Sequence, residues 1–341
     1  MNNIQTKTYV GSMPVRDNKL GVFNLNISRA GAGQPMSCSG QLYVVSAVNK
    51  DIGNGVTVPQ ITVDQDYDFN SNGLYNHLSR AGIIPTKFIP ITIRDPRSQS
   101  TPIAEMLAND RKLSDIVWGV ADADVIDAFI AGETTRIGAG ESSIQAKTAV
   151  KKFDIGDDRS EVYFLNMFRA DSDAPVTLFT YDHILGVRRG KIHDTDEIAS
   201  LVSVCGTEFD QNTALAYMHS HGVLGEMDLE AQFLTPGDEY GMDRILSSGL
   251  SSILWAGDGD VMNDAIFKGH IDRLVTSFRE DADKITDQPQ DSDMSSEQCT
   301  DKGVYLGSLM KAVGYTPILQ AEFVALSQKL SARGGWWDEA D

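Results

Sequence analysis

Two histidines separated by one residue, His219-Ser220-His221, are the residues whose types and spacing point most directly to chemistry in this 341-residue chain. The preceding segment 214–218 reads as a short strand, and on an extended segment side chains i and i+2 leave by the same face. Both imidazoles could then reach one zinc ion, with a carboxylate as third ligand and water as the fourth. Asp228 and Asp238 follow as carboxylates for that third place, and Glu161, in the strand-like run EVYFLNMF, is the candidate catalytic base. The simpler expectation for the same residues is a hydrogen-bonded or surface histidine pair at a strand end, with no metal at all.

The arrangement resembles the JAMM-type metalloproteases, whose motif is H-x-H-P followed by S-x-x-D, with a Glu on an earlier strand. That resemblance implies Glu161 as base, His219 and His221 as zinc ligands, and Asp238 of Thr235-x-x-Asp238 as the third ligand. The sequence departs from the motif in three places. Gly222 stands where the Pro belongs, Thr235 stands where the Ser belongs, and the gap from His221 to Thr235 is longer than the family's. Asp228 is nearer but has no Ser before it. A second resemblance is to phosphatases of the haloacid-dehalogenase type. Asp122-Ala123-Asp124 is similar to their D-x-D opening, and Gly257-Asp258-Gly259-Asp260 with Asn263-Asp264 to their acidic magnesium motif. Asp122 falls in a helical run, however, where that nucleophile must end a strand, and a turn capping the next helix accounts for the GDGD residues. Asp66 and Asp68 alternate like calcium-loop acids but lack the central Gly and closing Glu, so a solvated turn is expected.

The elements that must position these groups read as an α+β fold: a β-rich N-terminal domain over 1–99, a helical connector over 100–150, and an α/β domain over 151–341. In the first part, apolar and polar residues alternate over 22–27, 41–48, 56–63 and 88–93. A short helix is expected over 73–81 after Asn70-Ser71-Asn72. The stretch 94–102 reads as a linker, 103–130 as one or two helices joined near Asn109-Asp110, and 132–143 as a polar connection. In the last part, 161–168 and 175–181 read as strands, 194–205 as an amphipathic helix, 252–256 as a strand, and 265–281 as a helix. The acidic loop 281–301 is too poor in apolar residues to fold alone. No internal repeat is read along the chain.

Composition narrows the function. A net charge of −19 and pI near 4.6 exclude a role in coating nucleic acid, which needs a Lys/Arg surface. The first 99 residues nevertheless carry nine Lys/Arg against six Asp and no Glu, so nearly all the acidity lies in the remainder. Such asymmetry can steer head-to-tail association. No apolar run is long enough to span a bilayer and the start of the chain has no signal-like segment, giving a cytoplasmic setting or one of assembly there. Cys38, Cys205 and Cys299 are far apart and are expected to be idle thiols. Trp336 and Trp337, adjacent in the tail, form a candidate interface. The leading expectation is therefore a structural subunit, such as a bacteriophage tail or capsid protein, that binds itself and other assembly proteins without a cofactor. The alternative is the zinc hydrolase.

Overall fold

The computed structural model describes residues 4–51, 55, 57–85, 103–156, 159–192, 196–205, 208–225 and 248–286. The chain begins with four antiparallel strands in simple meander order: β1 Gln5–Val15, β2 Lys19–Arg29, β3 Met36–Asp51 and β4 Thr57–Asn70. Three helices follow, α1 Ser71–Arg80, α2 Ile103–Trp118 and α3 Asp122–Ile137. The same order then begins again. Strands β5 Gln145–Gly156, β6 Arg159–Arg169, β7 Thr177–Ile192 and β8 Asp196–Cys205 form a second antiparallel meander, with the two-residue β9 Glu208–Phe209 paired to β7. Helices α4 Gln211–Ser220, α5 Ser248–Ala256 and α6 Gly259–Thr286 complete it.

The molecule is thus an internal duplication, which corrects the absence of a repeat expected from sequence. Leu25-Asn26 and Arg29-Ala30 of the first half return as Leu165-Asn166 and Arg169-Ala170 in the second. Leu113-Ser114 and Trp118 return as Leu250-Ser251 and Trp255, and Asp127-Ala128, Gly132 and Arg136 as Asp264-Ala265, Gly269 and Arg273. Contacts repeat with the residues. Arg29 donates from Nε to Gln5 Oε1 at 2.7 Å and lies 4.2 Å over the Trp118 ring; Arg169 donates to Gln145 Oε1 at 2.7 Å and lies 4.0 Å over Trp255. The ends of α1 and α4 match as well. Asn70 caps α1 and Asp210 caps α4, each through its side-chain oxygen. After each helix a glycine with positive φ, Gly82 at 74° or Gly222 at 73°, reverses the chain. The amide of the next residue then bonds back, Ile83 to the Leu78 carbonyl at 2.9 Å and Val223 to Met218 at 2.8 Å.

Each sheet buries both faces. On β2, Phe23, Leu25 and Ile27 pack under helices with Leu74, Leu78, Leu113, Val125 and Phe129. In the second half Tyr163, Leu165 and Met167 pack with Leu215, Met218, Leu254 and Ile266. Period-two alternation sends the other residues of each strand toward the opposite sheet. Leu20, Val22, Tyr43 and Val45 meet Phe168, Ala170 and Ala174 there. The layers run helix, sheet, sheet, helix. Strand β1 lies against its equivalent β5, and β4 lies against β6 as β8 lies against β2. Contacts that survive exchange of the halves are the mark of two-fold pairing.

The helices of 100–150 are part of this first core, and β5 starts within that stretch. The α2–α3 break falls at Gly119–Ala121 rather than at Asn109-Asp110, and α3 runs on through the expected polar connection to Ile137. Three readings of the second half are overturned. The stretch 196–205, expected as a helix, is edge strand β8, and 214–218 and 252–256, expected as strands, lie in α4 and α5. Alternation of strand and helix is replaced by a strand block and a helix block, as an α+β fold requires. The helices expected over 73–81 and 265–281 are present, and Asn70 and Asn72 sit at the start of α1, so the run 65–72 is a strand end and helix cap. The expected strand at 88–93, the linker and the chain beyond Thr286, including Trp336 and Trp337, lie outside the described residues.

Candidate functional site

The histidine pair does not have the geometry that zinc chemistry asked of it. His219 sits in the last turn of α4 and His221 is the C-cap residue. On a helix, residues two apart point in widely different directions, so the shared face of an extended strand is lost. His221 Nδ1 lies 3.2 Å from the Tyr217 carbonyl and its Nε2 3.3 Å from Asp272 Oδ2, while the His219 carbonyl accepts from Gly222 N at 3.0 Å. These are helix-end contacts, and the first half makes the same turn with Ser79 and Ala81 in place of the histidines. Asp228 and Asp238 lie outside the described residues. Asp122 opens α3 and accepts from Lys7 Nζ at 3.0 Å, and Asp258 Oδ1 accepts from Asp260 N at 2.9 Å as a cap for α6.

Glu161 is the one singled-out residue that the fold places somewhere chemically unusual. It lies on β6 on the face that carries Tyr163 toward the helices, beside Asp182 of β7 and below His270 of α6. The three residues can bring one ligand atom each within 4.8 Å of one another. Glu161 is 1% exposed and Asp182 fully buried. Neither Glu161 oxygen completes a hydrogen bond, nor do the buried hydroxyls of Tyr163 and Tyr217. Burial, with the Asp182 carboxyl adjacent, holds the Glu161 carboxyl well above its usual range. Burial, helped by the positive charge of Arg273, pulls the His270 imidazole down to about 4, so it is neutral near pH 7. Burial and the neighbouring acids also hold the Tyr163 phenol well above its usual range.

The first half shows what this position does when it is electrically complete. Glu133 of α3 stands where His270 stands in α6, one residue after Gly132 and Gly269 respectively. A side chain on Gly132 would strike the His77 ring, and one on Gly269 the Tyr217 ring, so the two helix crossings are built alike. In the first half Glu133, 1% exposed, accepts from His77 Nε2 at 2.8 Å and from Arg136 Nε at 2.7 Å. Burial works against its charge, yet those two bonds hold the carboxyl below its usual range. The strand positions beneath it, equivalent to Glu161 and Asp182, are Gly21 and Leu42. The second half has exchanged an apolar floor and a paired acid for two buried acids under a neutral imidazole.

No family model, no curated protein and no solved structure matches the chain. The site therefore has to be read from its own chemistry. The sequence reading placed Glu161 with His219 and His221, whereas the fold brings it beside Asp182 and His270, which that reading did not single out. The missed signal was the repeat: aligned halves show acids at Glu161 and Asp182 opposite Gly21 and Leu42.

Proposed function

We propose that the protein is a structural, self-assembling subunit of a large protein assembly, with a bacteriophage tail or capsid as the setting. Its partners are further copies of itself and other assembly proteins, built in the host cytoplasm. The observation that carries this reading is the pair of equivalent sheet edges left by the duplication. Strands β4 and β8, of 14 and 10 residues, occupy the same place in the two halves. Among the described residues each pairs along one side only, β4 with β3 and β8 with β7. Ordinary strands run about five to six residues, and a long edge strand with no described strand on its outer side is a template for another chain, even though the Ala199 amide of β8 already donates to Gln34 Oε1 at 3.0 Å.

Charge favours a selective partner. Asp66 and Asp68 lie along β4, beside an Asp64 that Lys19 already pairs at 2.8 Å. Acids along one edge discourage like edges from meeting and suit head-to-tail addition. The adjacent Trp336 and Trp337 would supply apolar contact area in the same assembly. A hydrolase using His219 and His221 gains no support, because the helix separates the two rings. Light scattering of the purified full-length chain over a rising concentration series tests the proposal. Mass growing well beyond the 37.2 kDa monomer, with rings, tubes or shells in negative stain, is the expected result. A monomer at every concentration would refute unaided self-assembly.

A further inference from the structure

We infer that Glu161, Asp182 and His270 form a binding site for one divalent transition-metal ion, which ties strands β6 and β7 to helix α6 in the second half of the molecule only. Three observations converge on it. The ligand atoms of the three side chains come within 4.8 Å of one another, a separation that one ion can span. Both Glu161 oxygens, in a residue 1% exposed, make no well-formed hydrogen bond, although the Asp182 carboxyl and the Tyr163 hydroxyl stand close enough to interact with them. Buried polar groups of this kind are costly unless something pairs with them. Finally, the equivalent position in the first half is already satisfied by protein groups, Glu133 accepting hydrogen bonds from His77 and Arg136. The second half supplies two carboxylates and no described cation in hydrogen-bond contact with Glu161.

The donor set names the class of ion. An imidazole with two carboxylates suits zinc or manganese better than calcium, which prefers six to eight oxygens, and better than copper(I), which prefers sulfur. Glu161 and Asp182 are almost wholly enclosed and His270 is only partly exposed. The site is therefore a cross-link in the fold. The competing account is that Glu161 keeps a proton and shares it with Asp182, with no ion involved.

The test uses the full-length chain after chelator treatment and dialysis, titrated calorimetrically with zinc and separately with manganese, with melting followed alongside. The inference expects one ion per chain and a higher Tm on loading. His270→Ala and Glu161→Gln should each lower affinity by a factor of ten or more. His221→Ala should bind as the wild type does, since it lies outside the site. Glu161→Gln should remain folded, because the amide matches the neutral acid in shape, so its loss of binding will not be a loss of structure. Absence of stoichiometric binding by either ion, or binding abolished by His221→Ala and kept by His270→Ala, would overturn the site. A Tm that Glu161→Gln raises without any ion effect on the wild type would do the same, in favour of the shared proton.

Discussion

The most revealing perturbation is the removal of Arg29 and, separately, of its counterpart Arg169. Both guanidinium groups bond a glutamine across the sheet and cover a tryptophan ring, yet they differ in exposure and in their remaining partner. Arg29 is 6% exposed and also donates to Asp115 Oδ1 at 2.8 Å, whereas Arg169 is more open and donates instead to the Ser172 carbonyl at 3.1 Å. The bond to Gln5 is charge-assisted and buried on the arginine side, worth about 1.5 kcal/mol. Stacking over Trp118 contributes about 1 kcal/mol or somewhat more where water is excluded. Asp115 is 55% exposed, so that ion pair adds at most about 0.5 kcal/mol. Arg29→Ala should therefore destabilise by about 3 kcal/mol, and Arg169→Ala, more hydrated at both contacts, by about 1.5 kcal/mol. Urea unfolding at pH 7, with the exposed Arg80→Ala as a reference within about 0.5 kcal/mol of wild type, gives the comparison. An Arg169→Ala variant indistinguishable from Arg80→Ala would refute the reasoning, because the repeated bracket would then be a coincidence of placement.

Two further outcomes follow from the first half's core. Phe129 is fully buried with ring centroids 4.8 Å from Phe23 and 4.9 Å from Phe69, so Phe129→Ala should cost about 3–5 kcal/mol in the same urea assay. Glu133→Gln should cost about 3 kcal/mol at pH 7, since it removes the charge that His77 and Arg136 answer. The folded carboxyl is held below its unfolded value, so this contribution is present above about pH 4.5 and is lost as pH falls further. Unfolding curves of wild type and variant should therefore converge on acidification toward pH 3, and a gap that stays constant would contradict the assignment.

Much of the fold was legible where periodicity is clean. The alternation of 22–27 and 41–48 becomes β2 and β3, and Asn70 caps the short helix as its side chain predicts. The errors fall where a run is short and apolar: 214–218 and 252–256 lack the length to separate a strand from a buried helix, and tertiary packing made them helices. Segment 196–205 has acids at its start and spaced apolar residues, as a helix would, yet it completes an antiparallel ladder with β7. Few identities mark the duplication in the sequence, and many of the positions that match do so by class: Leu78 with Met218, Val125 with Met262, Asn70 with Asp210. The buried site could not be read for a related reason. Glu161, Asp182 and His270 are far apart in sequence, and only the register of β6 with β7 and the crossing of α6 bring them together.

Amide hydrogen exchange on the full-length chain, compared below and above the concentration at which its mass begins to grow, tests the central claim most directly. Assembly through the sheet edges predicts new protection along β4 and β8, with β2 and β3, already paired on both sides, unchanged. Protection gained elsewhere, with β4 and β8 exchanging as fast in the assembly as in the free chain, would contradict it.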